Sequence, residues 1–373
     1  MTIRKKYVDI IDKPCVLNKI NLYSLLLTTT IYYKDLMKME SCFLTVLKGQ
    51  KIDRIPIWFM RQAGRSLPEY RKYSENYKSL MDKFLCPEAI CEITLQPLRR
   101  FDIDVAILFS DILIIPYALG QDVHFVHKKG PILSELCMEK LNFDCFESRI
   151  KPVLDGIQLT LSNLPMGKAL MGFVGSPWTL ATYMIGNSGK NFNDTIQFSL
   201  SYPDIFKKLM DLLTEACIYF LKRQIESGVM AVQFFDSWAG SVPEFMMETC
   251  VLKPLIQMTA ALKEKFPHIP IISFPKGVGY RLNDIVEISS IDALSFDSSV
   301  PLKIIKKFQD QKITQGNLDP NILWAGGLLL EKSVDQILSN LCHSSRHIFN
   351  LGHGVLPTTP IINIEQTIAR IRS

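Results

Sequence analysis

The first β-rich run of the chain leads into MRQAGRSLPEYR, which sets Arg61 and Arg65 four residues apart, with Gln62 between them and Arg71 beyond. If the backbone coils there, the two guanidiniums share a side and can grip separate carboxylates through bidentate hydrogen bonds. The plainer reading pairs each arginine with one of the protein's own acids. In FSDIL, Asp111 lies two residues past a buried apolar run. Aspartate is a favoured helix cap, but a buried carboxylate at a strand exit can also accept several N–H bonds from a ligand; both readings stand open.

GSPWTLATYMIGNSGK ends a strand at Gly175, opens a helix carrying Tyr183, and loosens at Gly186 and Gly189 into a stretch suited to a movable lid. Met184 stands where a Walker glycine is needed, which excludes a nucleotide loop. QFFDSWAG supplies Asp236 and Ser237 at another strand end, without the G-x-S-x-G elbow of a nucleophilic serine; Trp238 reads as a packing residue. In FNLGHGVLPTTP, His353 lies between two glycines, where an imidazole can approach a ligand with little hindrance. His343 and His347 form H-x-x-x-H but lack the glutamate of a zinc protease.

The elements that must position these groups alternate between short β-rich runs and long amphipathic stretches, the βαβα pattern of a parallel sheet. The runs are Ile57–Met60, Val105–Phe109, Leu170–Gly175, Ala231–Phe235, Pro270–Phe274, Ala293–Phe296, Ile313–Gln315 and His347–Leu351. Eight parallel strands with intervening helices close most simply into a (β/α)8 barrel, the fold class expected here. Polar residues follow nearly every strand: Arg61, Asp111, Ser176, Asp236, Lys276, Asp297, Asn317 and His353. In a barrel they share the C-terminal rim, where active sites are built. A hairpin is expected around Val123–Ile132.

Apolar residues at 47% and charged residues at 21% describe an ordinary globular chain. A net charge of +5 is too small for a nucleic-acid binder that relies on blanket electrostatics, so any anion site is local. Nine cysteines without a C-x-x-C pair argue against a disulfide framework and for a reducing compartment. The longest early apolar run, Leu22–Tyr33, is too short to span a bilayer. Residues 1–37 differ from the rest, with six basic side chains against three acidic ones and many hydroxyls. They read as an extension compatible with organelle import of plastid type, or as an unprocessed extension of a cytoplasmic protein.

Six strings in register, PIWFMRQAGRSLPEYR, LQPLRRFDIDVAILFSDIL, GSPWTLATYM, FFDSWAG, TQGNLDP and LGHGVLPTTP, resemble the uroporphyrinogen decarboxylase family across about residues 38–370. The resemblance implies one (β/α)8 domain over 38–373 and a homodimer with clefts face to face. It also implies stepwise decarboxylation of the four acetates of uroporphyrinogen III to methyls, giving coproporphyrinogen III for haem synthesis, without cofactor or metal. It assigns Arg61 and Arg65 to substrate carboxylates, places Gln62 at the same mouth and gives Asp111 the central pyrrole N–H groups. Tyr183, Ser237 and His353 match the remaining polar residues of the cleft. The chain departs from the family at Ser66, in GNSGK and at Pro275, which affects rim and lid rather than the chemistry.

The chemistry accords with these residue types. Losing CO2 from a pyrrole acetate needs an electron sink, which protonation of the ring carbon supplies by making the pyrrole cationic. A shielded aspartate can stabilise that cation. Arg61 and Asp111 are therefore the catalytic candidates, Arg61 for delivering the proton or for positioning the departing carboxylate or a water; a guanidinium is itself a poor acid. Two rivals differ in class. A cobalamin-linked thiol methyltransferase needs a zinc site with paired His and Cys, and no H-x-C occurs. A silent tetrapyrrole-binding protein would keep the arginines and lose the aspartate.

Overall fold

The computed structural model describes residues 41–126, 129–188 and 192–373. The extension 1–37, and Gly189 and Lys190 of the lid-like stretch, lie outside the described residues. In chain order the strands are β1 (Val105–Ile107), the hairpin pair β2 (Val123–Val126) and β3 (Gly130–Leu133), then β4 (Ala169–Gly175), β5 (Ala231–Asp236) and β6 (Ile271–Pro275). β7 (Ala293–Ser295), β8 (Ile313–Leu318) and β9 (His347–Leu351) complete the set. β2 and β3 pair antiparallel as the expected hairpin. The other seven form one parallel sheet in the order β1-β4-β5-β6-β7-β8-β9.

The eighth stave closes this sheet and departs from the expected regular strand over Ile57–Met60. Its only ladder contact is a parallel bridge from Ile57 to Phe349 on β9. Phe349 N–H donates to Pro56 O at 2.8 Å, and on the opposite side Asp104 N–H donates to Ile57 O at 2.8 Å. Three N–H groups of the stave are met by side chains instead: Ile57 by Asp104 Oδ2 at 2.8 Å, Phe59 by Gln62 Oε1 at 3.0 Å and Met60 by Asn350 Oδ1 at 3.0 Å. The ring is thereby closed into the (β/α)8 barrel.

The strands are buried on both faces, as seven consecutive buried residues in β4 illustrate; this is the pattern of a sheet packed inside and out. The barrel interior is not purely apolar. Gln315 on β8 accepts from Trp58 Nε1 at 2.9 Å and donates to Gln233 Oε1 and Ser295 Oγ, each at 3.0 Å. One amide thus ties four staves together. Helices opening with proline in the first turn, such as Pro87–Arg100, Pro177–Gly186 and Pro203–Glu226, cover the outside. Proline is tolerated there because that N–H has no helical partner. After Pro243 the chain runs helical over Glu244–Met247, widens into a π-turn at Glu248–Leu252, and continues as Lys253–Lys265.

Under the barrel, fully buried Asp104 joins the seam to the chain's end: besides Ile57 it binds Arg54, and Arg372 Nη2 at 2.6 Å. Removing one partner from such a buried cluster strands the others in low dielectric. Asp104→Ala is therefore expected to lower unfolding stability by about 3–5 kcal/mol, read from urea denaturation. A loss below about 1 kcal/mol, the range of an exposed pair, would show that the seam closes without this carboxylate.

Candidate functional site

Arg61 leaves the stave in a turn closed by Gln62 N–H donating to Phe59 O at 3.0 Å. Its φ of +59° lies in the left-handed region, which costs about 1–2 kcal/mol for a residue with a Cβ. The turn is held on both sides. Val355 N–H donates to Met60 O at 2.8 Å, and Arg71 Nη1 donates to Arg65 O at 2.7 Å and Ser66 O at 3.1 Å. The Arg61 stem lies flush against Gly354, where an added Cβ would collide with Arg61 Cδ and Cγ. Among the described residues no acidic side chain lies within 4.0 Å of the Arg61 or Arg65 guanidinium. Both side chains are exposed and available to an external anion.

Gln62 behaves differently from the mouth-lining residue expected. It is buried, with Oε1 held by Phe59 N–H and Nε2 donating to Val105 O at 2.8 Å. Both ends of its amide are engaged in the wall, where it fastens the Arg61 stave to β1.

Asp111 combines parts of both readings. Oδ1 accepts from Leu113 N–H at 2.9 Å, a local capping bond ahead of the short helix Ile114–Leu119. No other hydrogen bond to this carboxylate occurs among the described residues. Burial pushes its pKa up to about 6, against the Leu113 bond and the charge of Arg61, which both favour the ionised form. The Tyr183 phenol is likewise pushed up, by burial first and then by the Asp111 charge, with Arg61 opposing. Arg61, Asp111 and Tyr183 therefore share one electrostatic field.

His353 joins them. Its Nδ1 accepts from Gly354 N–H at 2.7 Å, so the neutral ring carries its hydrogen on Nε2. Burial, then the charges of Arg61 and Lys276, push the ring down to about 4, with Asp297 opposing. At neutral pH it offers one N–H donor and no charge. His347, by contrast, is buried in β9 between Thr314 Oγ1 and Gly316 O, each at 2.8 Å.

Ser237 follows β5 at the rim, and its hydroxyl has no hydrogen-bond partner among the described residues. Asp236 is buried on the helix side, where Oδ1 accepts from Thr179 Oγ1 at 2.7 Å. Thr179 Oγ1 in turn accepts from Trp238 N–H at 3.2 Å. Burial pushes Asp236 up to about 7. This link connects the Ser237 loop to the helix that carries Tyr183, one turn beyond Thr179. Trp238 packs near Tyr183 and Phe192, with ring centroids 6.5 and 4.8 Å away, and Lys276 Nζ lies 5.8 Å from its centroid. Sequence reasoning placed Lys276 on the rim without a role; a basic residue directly after a strand-ending proline was the available signal. Thr179 gave none, since its partner is 57 residues away.

Among the described residues no group of three or more His, Cys, Asp or Glu is placed to hold a metal ion. The electrostatic arrangement itself can be measured. In NMR of ring-labelled histidine, with His353→Gln identifying the resonance, His353 is expected to titrate near pH 4 and to move upward in Arg61→Met. A midpoint near 6.5 in the parental protein would place the ring in open solvent.

A family model described as uroporphyrinogen decarboxylase (URO-D) matches residues 39–373. Uroporphyrinogen decarboxylase of Rhodospirillum rubrum is 41% identical over 342 residues, covering 90% of this chain and 98% of that protein. The Chelativorans sp. uroporphyrinogen decarboxylase is 42% identical over 337 residues, covering 89% and 98%. Among solved structures, a methyltransferase from Methanosarcina mazei superposes with a TM-score of 0.73 at 16% identity, covering 90% of this chain and 98% of that one. At that identity it speaks for the fold alone. The family match runs through the whole barrel and takes in Arg61, Asp111, Tyr183 and His353, so the chain belongs to the uroporphyrinogen decarboxylase family.

Proposed function

We propose that this protein is a carboxy-lyase that converts the four acetate side chains of uroporphyrinogen III to methyls, giving coproporphyrinogen III in haem biosynthesis. The observation that carries the reading is a desolvated, under-bonded Asp111 carboxylate in the field of Arg61, an arginine with no acidic partner among the described residues. The family assignment supports it. The substrate presents pyrrole N–H donors at its centre and eight carboxylates at its edge, the complement of that arrangement.

In each cycle, a proton added to the ring carbon next to the one bearing the acetate makes the pyrrole cationic. The bond from CH2 to the carboxylate then breaks, its electron pair forms an exocyclic methylene, and CO2 leaves. Protonation of the methylene to methyl and loss of the ring proton restore the pyrrole, so one proton is consumed per CO2 released. Asp111 accepts pyrrole N–H bonds and stabilises the cation as it forms; its desolvation is already in place before substrate arrives. Arg61 holds the departing carboxylate or the water that relays the proton, because a guanidinium is a poor acid. Arg65 grips a further carboxylate, and Tyr183, Ser237 and the neutral His353 donate hydrogen bonds to others.

The homodimer belongs to the same proposal and is tested by light scattering. So does organelle import through residues 1–37, tested by fusing them to a fluorescent reporter. No helix among the described residues is long and apolar enough to cross a membrane.

The reaction is tested by anaerobic incubation with uroporphyrinogen and chromatography of the products. Asn is a near-isostere of Asp and still accepts from Leu113, so a role confined to capping leaves Asp111→Asn close to neutral. The proposal instead expects kcat to fall on the order of 10²-fold or more, with Asp111→Glu keeping part of the rate. An active, folded Asp111→Asn protein at the parental rate would sink the assignment.

The same variant has a stability signature. The Asp111 pKa is raised from 3.8 to about 6 in the folded protein, so the native state holds its proton more tightly than the unfolded chain. The contribution of Asp111 to parental stability is therefore fully present below pH 4 and is lost as pH rises through about 6. Asn escapes this decline, so Asp111→Asn is expected to melt higher than the parent at pH 8, with the gain vanishing by pH 4. The ceiling is about 3 kcal/mol from the two-unit shift. A melting point lowered at pH 8 would contradict it.

A further inference from the structure

We propose that Lys276 is an additional binding residue that pairs with a carboxylate of the substrate beside Trp238. The inference rests on the decarboxylase reading above and adds a contact to the same cleft. Three rim loops fix where this side chain leaves the backbone. Lys276 N–H donates to Asp236 O at 3.0 Å, Gly240 N–H donates to Lys276 O at 2.9 Å, and Gly277 N–H donates to Asp297 Oδ2 at 2.7 Å. The loops meet so closely that a Cβ at Gly240 would lie 2.5 Å from Gly277 O, and Gly277 itself has φ +79°. Only glycines permit that approach. Lys276 is therefore held on a braced corner shared by β5, β6 and β7.

The side chain is half-buried, with Nζ 5.8 Å from the Trp238 ring centroid. Among the described residues no carboxylate lies within 4.0 Å of it, whereas Lys151, Lys168, Lys207 and Lys263 each have an acidic partner. Its charge reaches His353, which it helps to keep neutral. A half-buried ammonium over an indole face, within electrostatic reach of a neutral imidazole, has lost some of its water and gained little in return. An arriving anion supplies the missing counter-charge. An ammonium is a point charge with three rotatable donors, so it can follow a flexible carboxylate side chain where a planar guanidinium fork would demand one orientation.

The test is steady-state turnover of uroporphyrinogen by the full-length parental protein and by Lys276→Met, Lys276→Gln and Lys276→Arg. Met keeps an unbranched apolar stem and removes the charge. The expected result is a KM at least about tenfold higher in Lys276→Met, the scale of one lost charge-assisted contact, with kcat within about threefold. Lys276→Arg should return KM close to the parental value, which a packing role shared by Met would not require. If Met prevents folding, as judged by circular dichroism, Gln is read in the same way. Inhibition by coproporphyrinogen, which keeps the propionates and lacks the acetates, shows which side chain is held: a matching rise in its inhibition constant means a propionate, an unchanged constant an acetate, and both agree with the proposal. An unchanged KM in a folded Lys276→Met or Lys276→Gln protein overturns it, as does a loss confined to kcat. A parental protein that does not consume uroporphyrinogen overturns the underlying reading instead.

Discussion

The cleft depends on how the barrel is closed beside Arg61. A stave that ran as a regular strand would present all its N–H groups to ladder partners and could not turn at once into a left-handed arginine. This one begins at Pro56, which has no N–H, and a bridge at Ile57 is its one backbone pairing with β9 among the described residues. Side chains of Asp104, Gln62 and Asn350 take over the remaining bonds. They come from three different parts of the chain, so the turn at Arg61 is over-determined and its backbone strain can persist. The Asp104 cluster adds the C-terminal Arg372 to the same seam, making the last helix part of the support under the site.

Above that seam the rim holds groups that are poorly satisfied in the free protein. Asp111 is desolvated with one hydrogen bond to its carboxylate, and Arg61, Arg65 and Lys276 lack acidic partners among the described residues. Other arginines are paired, as Arg100 with Glu69 and Arg370 with Asp335 show. In a chain of net charge only +5, a polyanionic ligand has to be met by cations gathered locally. Tension of this kind lowers native stability and is relieved when a complementary ligand arrives, as expected where binding groups are arranged before the substrate.

The parallel barrel was legible in the sequence because β-branched and aromatic runs recur between amphipathic stretches, and burial on both faces leaves a continuous apolar signature. The strand ends shifted by a few residues: β8 runs on to Leu318, past the expected end at Gln315. The gathering of Arg61, Asp111, Tyr183 and His353 also followed, since the fold sends every strand exit to one rim. The direction of each side chain did not. Gln62 sits between two arginines in sequence, yet its partner Val105 is 43 residues away, and that distant carbonyl turns the amide into the wall. The amide hub at Gln315 was equally hidden, because Trp58 lies 257 residues from it and a glutamine within an apolar run carries no local sign of its partners.

Positioning at this site therefore divides between two kinds of contact. Strands and buried amides set the rim's shape, and close backbone approaches at glycines set the last ångström. Gly354 leaves room for the Arg61 stem, and Gly240 lets the β5 loop lie against the loop after β6. A methyl group at Gly354 would displace the Arg61 stem, and one at Gly240 would push on the backbone of Gly277. A glycine next to His353 first suggests freedom of motion; in the folded protein it acts in the opposite sense, holding Arg61 against a surface with no Cβ. The rim is thus built from permissive residues used as constraints, which allows loops to place an arginine, a lysine and an imidazole around one acid with the accuracy usually reserved for strands.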